Sequence, residues 1–173
     1  MNEYSSQVFI KTNNAKILIL GVGNPILSDD GVGIHVLEEL RKKYSNISGL
    51  EFDDLSTGGL SLAERFIGYE KVIMIDALAL DNGTPGAVHR LTIEDFGTTK
   101  RMYCAHDCNL ATAYDVLKKE LGPEKMPDEV IIIGIEAENF NEFSESLSDK
   151  VAKAIPKAVA LVEKELTEIL PKK

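Results

Sequence analysis

Apolar positions along the chain follow two rhythms in alternation. Continuous runs at residues 16–21 (KILILG) and 71–77 (KVIMIDA) predict strands covered on both faces, and residues 50–55 and 130–135 predict two more. Between the first two strands, residues 31–44 carry Val32, Val36, Leu37 and Leu40 on one stripe with Glu38, Glu39, Arg41 and Lys42 outside, the helical period. A short helix is expected over 60–66, opened by the turn Ser56-Thr57-Gly58-Gly59. Another is expected over 107–121, stopped by Gly122-Pro123. A long amphipathic helix is expected over 147–170, where Pro156 can introduce a kink. Residues 81–86 (DNGTPG) are a turn by composition, and 87–93 alternate like a half-exposed edge strand.

Strands alternating with helices predict an α/β fold, a mainly parallel twisted sheet between two helical layers. The 173 residues suit a single domain over 1–173, with a polar leader at 1–15. No repeat, low-complexity tract or linker interrupts it. No apolar run approaches the roughly 20 residues of a membrane helix, so no membrane insertion is expected. The N-terminus lacks the pattern of a signal peptide. A net charge of −9 leaves no basic face for nucleic acid and fits a basic partner or a cation. Two cysteines make no disulfide framework, so a reducing, cytoplasmic location is the expectation.

Candidate chemistry concentrates in three separate segments. Asp30 lies in KILILGVGNPILSDDGVG, Asp76 closes the apolar run KVIMIDAL, and His106 lies in YCAHDCNLATAYDVL. In an open α/β sheet ligands bind beyond the carboxyl ends of the strands, where the strand order reverses. With the first strand between the second and third, that crevice receives Asp30 and Asp76, and His106 can overhang it. Two carboxylates and an imidazole form a metal site with open positions. Taken singly, each residue has a plainer reading. Ser28, Asp29 or Asp30 could cap the following helix, and His106 alone could be surface decoration. Asp76 is harder to dismiss, because a carboxylate at the end of a buried strand is costly without a partner.

Other motifs carry less. Gly21-Val22-Gly23 evokes a dinucleotide fingerprint, yet Ile26 stands where its third glycine belongs. The glycines fit better as a sharp turn that presents Asp30. Cys104 and Cys108 flank His106 without the paired spacings of structural zinc, and read as ordinary thiols. His35 and His89 have no acidic or cysteine partner visible in the sequence and receive no role.

The run GVGNPILSDDGVGIHVLEEL, followed by DDLSTGGLSLAERF, KVIMIDALALDNGTPGAV and AHDCNLATAYDVL, resembles the NiFe-hydrogenase maturation endopeptidases. The resemblance spans roughly residues 16–165. It implies a three-layer α/β/α sandwich, phosphorylase/hydrolase-like, with a five-stranded mixed sheet whose antiparallel strand falls at 87–93. It also implies an aspartic-type endopeptidase that removes a C-terminal extension from a nickel-loaded hydrogenase large-subunit precursor. Nickel would be recognised by Asp30, Asp76 and His106, which are the metal-binding and catalytic candidates together. Asp30 is a shorter version of the Glu that some members carry, and is the preferred general base. Nickel would arrive with the substrate, the resting enzyme being expected to be largely metal-free. Lewis-acid polarisation of a carbonyl and carboxylate activation of water both remain open.

Asp29, Asn24 and the 56–59 turn are expected to shape the cleft, although Asn24 could serve only as an Asx turn before Pro25. Asp54 is either near the crevice or simply exposed at a strand end. Segments 92–101 and 136–148 are expected to flank the crevice and set specificity. Two rivals stand beside this reading. One is an aspartyl-phosphate signalling module, which lacks its lysine here; the other is a nickel chaperone that cleaves nothing.

Overall fold

The computed structural model describes residues 17–98, 102–103 and 110–167. In chain order the elements are β1 (Ile17–Val22), a 3-10 turn (Ser28–Gly31), α1 (Val32–Tyr44), β2 (Leu50–Leu55), α2 (Gly59–Glu64), β3 (Lys71–Leu80), β4 (Val88–Thr92), α3 (Ile93–Thr98), β5 (Met102–Tyr103), α4 (Leu110–Leu121), a second 3-10 turn (Pro123–Lys125), β6 (Glu129–Glu136), α5 (Asp149–Ala152) and α6 (Ile155–Glu165). Five strands form one sheet in the order β2-β1-β3-β6-β4. All neighbours are parallel except β4, which runs antiparallel to β6 at the edge. The mixed sheet and its one reversed strand are as expected. The two-residue β5 adds an antiparallel rung to the far end of β3.

Side-chain alternation along the strands builds two cores. Ile17, Ile19, Ile73, Ile75, Ile131, Ile133 and Ile135 face α1, α5 and α6. Leu18, Leu20, Val22, Val72, Met74, Val130 and Ile132 face α2 and α4. The four stripe residues of α1 are all fully buried. Burial of such aliphatic side chains stabilises by about 1.5–3 kcal/mol each, which holds the sheet rigid beneath its loops.

Two expectations about element length are corrected. The helix expected over 147–170 is two helices, α5 and α6, broken at Lys153 and Ala154, with Pro156 in the first turn of the second. Proline lacks an N–H and its ring clashes with the carbonyl four residues back, so the helix restarts instead of bending through. Residues 168–170 lie outside the described residues, as do 107–109 of the helix expected over 107–121. The third strand does not close at Asp76 but runs on to Leu80. Its β1 partner stops while β6 and β5 continue to pair with it, so half of its ladder persists beyond the crevice.

Candidate active site

The site starts where β1 stops. Gly23 has a φ of +140°, and a Cβ there would stand 1.9 Å from the Asp30 carbonyl oxygen. Only glycine allows the chain to leave β1 and fold back so tightly. The intervening loop closes on itself: the Asn24 side-chain oxygen accepts the Ile26 N–H at 3.2 Å, and Leu27 N–H donates to the Asn24 carbonyl at 3.1 Å. Asn24 is therefore the Asx turn that its position before Pro25 suggests. Its own N–H donates to Asp30 Oδ2 at 2.7 Å. The loop thus both delivers Asp30 and fixes the orientation of its carboxylate.

Asp30 is buried, and it does not cap α1. The cap position is Gly31, with no side-chain cap hydrogen bond, which overturns the plainer reading of this aspartate. Gly33 sets the start of α1 on the sheet. A Cβ there would come 2.3 Å from the Ile75 carbonyl oxygen and 2.4 Å from that of Val22. The helix N-terminus therefore rests on the ends of β1 and β3, its partial positive charge aimed at the crevice.

Asp76 follows Ile75 directly and is fully buried. The β1–β3 ladder ends at the pair Gly21 and Ile75, while Asp76 still pairs with Gly134 of β6. It is the first residue of β3 past the β1 rungs, and the 3-10 turn carrying Asp30 packs against β3. Asp76 Oδ1 accepts the Ala77 N–H at 2.8 Å. Two buried carboxylates thus share the point where strand order reverses, β1 leading to β2 on one side and to β3 on the other.

His106, Cys104 and Cys108 lie outside the described residues. Among the described residues, no group of three or more His, Cys, Asp or Glu is placed to hold a metal ion.

Asp29 does different work from its neighbour. It is fully buried, and its carboxylate accepts the Asn139 N–H at 3.1 Å, the Ser148 N–H at 2.7 Å and the Ser148 hydroxyl at 3.0 Å. Its N–H donates to the Asn139 carbonyl at 3.0 Å. The first aspartate of the pair is thus a clamp on the segment after β6, whereas the second is held within the loop after β1 by the Asn24 N–H. Ser56 Oγ donates to the Gly23 carbonyl at 2.8 Å, tying the turn after β2 to the same loop.

Three further placements differ from or complete the sequence reading. Asp54 is exposed, 3.5 Å from Arg41, so the plain alternative holds for it. His89 has an acidic partner after all: its Nε2 meets the carboxylate of Glu136, which is buried and also receives the Thr84 N–H. These residues are far apart in sequence, and only the antiparallel pairing of β4 with β6 brings them together. Of the two expected flanking segments, 136–148 does border the crevice. The other starts elsewhere: Thr92 pairs with Ile131, because reversed β4 carries the chain away from the carboxyl ends. It is back at that edge only at Met102, opposite Leu80.

A family model described as hydrogenase maturation protease matches residues 34–165. The chain belongs to the hydrogenase maturation protease family. A hydrogenase 2 maturation peptidase from a Thaumarchaeota archaeon is 31% identical, with a TM-score of 0.61 over 87% of this chain and 97% of that one. The maturation protease HybD of Thermococcus kodakarensis is 29% identical, with a TM-score of 0.68 over 87% of this chain and 98% of that one. The hydrogenase 2 maturation protease of Escherichia coli is 26% identical over 90% of this chain and 88% of its own. Membership makes the chain a protease of hydrogenase maturation and removes the aspartyl-phosphate alternative. No described helix is long and apolar enough to cross a membrane.

Proposed function

We propose that this protein is the endopeptidase that removes the C-terminal extension of a nickel-loaded hydrogenase large-subunit precursor, and that Asp30, Asp76 and His106 recognise the nickel. The observation that carries this reading is the burial of Asp30 and Asp76 at one switch-point crevice, each with a carboxylate oxygen held by a backbone N–H. Carboxylate oxygens are hard donors, and two of them at one crevice suit a substrate-borne metal ion with open positions.

The path of β5 supports the third member. It runs antiparallel to β3, from Met102 opposite Leu80 to Tyr103 opposite Ala79, and so heads toward Asp76. His106 stands three positions after Tyr103, as Asp76 stands three positions before Ala79. Three residues of extended chain span about 10 Å, a length sufficient for His106 to join the two carboxylates in this reading.

The nickel belongs to the substrate. Its precursor ligands hold it, and the two carboxylates and imidazole add hard and borderline donors that a metal with open positions accepts. Metal loading is thereby read directly, and precursor without nickel lacks its anchor. Asp30, oriented by Asn24, is the base assigned to take a proton from the water as it adds to the carbonyl carbon; the tetrahedral adduct then collapses, the C–N bond breaking as Asp30 returns that proton to the leaving amine. A chaperone without peptidase activity would share these donors. Incubation with nickel-loaded precursor, followed by intact-mass measurement, separates the two. A precursor shortened by its extension supports the peptidase; metal lost to this protein from an uncut precursor refutes it.

A further inference from the structure

Residues 138–148 leave β6 and return to α5 as an arm whose base is anchored. Phe140 and Leu147 pack against the core beneath α1 and α6, and Asp29 binds the backbone at Asn139 and Ser148. Between these anchors the arm lies beside the loop that delivers Asp30. Leu27 and Ser144 form a parallel bridge, with Ser28 N–H donating to the Ser144 carbonyl at 2.7 Å and Ser144 N–H to the Ile26 carbonyl at 3.1 Å. That register sets Ile26 opposite Phe143, and residues opposite each other in paired strands project to the same face.

Both side chains stand in water: Phe143 is 84% exposed and Ile26 48%. Phe140 shows that the arm can place an aromatic ring against the core, so the outward ring at 143 is not forced by the fold. An exposed apolar pair beside a catalytic crevice marks a contact surface. The charge around it specifies the partner. Between Lys125 and Lys150 the chain has no Lys or Arg, whereas Glu138, Glu142, Glu145 and Asp149 are all exposed. Glu138 lies 3.5 Å from Lys150, and Glu142 accepts the Asn139 side-chain amide. The arm remains a strongly negative surface with an apolar tip.

We propose that residues 138–148 are a docking arm for the precursor polypeptide, taking a basic stretch that presents an apolar side chain. Ile26 and Phe143 make the apolar contact, and Glu142 and Glu145 make the charge contact. Asp29 is a positioning residue that holds the arm against the Asp30 loop. This rests on the endopeptidase reading and adds to it where the substrate is gripped.

The test uses the full chain and nickel-loaded large-subunit precursor. Processing kinetics are followed with the wild type, and binding with an Asp76→Asn background that does not cut. The double variant Ile26→Ser, Phe143→Ser is expected to raise KM and the dissociation constant about tenfold or more, with kcat little changed and thermal stability retained. Glu142→Lys with Glu145→Lys is expected to weaken binding and flatten its salt dependence. Val116→Ser, at an exposed apolar position on α4, is expected to change neither. Unaltered KM and affinity in the Ile26–Phe143 variant, or a loss confined to kcat, would overturn the arm. Arm-dependent binding of a precursor that the wild type never cuts would refute the peptidase and leave the arm standing.

Discussion

Asp29 and Ser148, 119 residues apart, are joined by two hydrogen bonds: the Ser148 N–H at 2.7 Å to one carboxylate oxygen and its hydroxyl at 3.0 Å to the other. One fully buried side chain therefore fastens the return of the chain from β6 to the loop that follows β1. Asp29→Ala should cost about 3 kcal/mol or more, since it strands several buried N–H groups at once. Urea unfolding measures it. A loss below about 1 kcal/mol would mean that water or neighbouring groups replace the carboxylate without penalty.

The seat of α1 on the sheet gives a second outcome. Gly33 leaves no room for a methyl group between the Val22 and Ile75 carbonyl oxygens. Gly33→Ala must therefore push α1 away from β1 and β3, a distortion of about 1–3 kcal/mol. Asp30 rides on the turn that leads into this helix, so processing should fall further than stability does. Thermal unfolding and precursor cleavage, measured on the same sample, check both.

A charge network at the opposite end of the sheet makes a pH prediction. Glu165 bonds to Arg90 through Nε at 2.7 Å, with Lys71 at 3.5 Å. Arg90 is the main reason its carboxyl is held below the usual glutamate range, and Lys71 adds to the effect. A carboxyl depressed in the folded state adds stability above its unfolded pKa and loses it as pH falls through the folded value. Glu165→Gln should therefore destabilise the protein at pH 7 by about 1 kcal/mol, and the gap from wild type should close as the pH falls below the usual glutamate range and through the lowered folded-state value. Urea midpoints followed from pH 7 into acid test this. A gap that persists in acid would assign the effect to packing.

The three proposed nickel donors should separate activity from folding. Asp76→Asn and His106→Ala should each abolish processing while the circular dichroism spectrum and unfolding midpoint stay near wild type. Normal processing by either variant would take that residue out of the site.

Much of this was legible before any coordinates. The hydrophobic rhythm marked five strands because buried parallel strands read as unbroken apolar runs, and the edge strand 88–92 showed its exposed alternation; of their order, only the place of the first strand between the second and third was expected, from the doubly wound pattern. The place of Asp76 was legible because it closes a buried apolar run where a carboxylate is unexpected, and that of Asp30 because it ends the loop after the first strand, at the same edge of the sheet. The division of labour in Asp29-Asp30 was not. Adjacent identical residues face different neighbours, and Asn139 and Ser148, the partners that distinguish them, come from the other half of the chain. The pairing of His89 with Glu136 was hidden for the same reason, since it depends on the register of β4 against β6. The extension of β3 to Leu80 was missed because the carboxylate of Asp76 reads as the end of a buried run, whereas pairing with β6 and β5 carries the strand on through Leu78, Ala79 and Leu80.

Comparison of nickel-loaded with nickel-free precursor tests the central claim most directly. The two forms are mixed separately with the wild-type enzyme, and the mass of the large subunit is followed over time. A site that grips the substrate's metal predicts a shortened chain from the nickel-loaded form and an intact one from the other. Equal cleavage of both forms, or of neither, would contradict it.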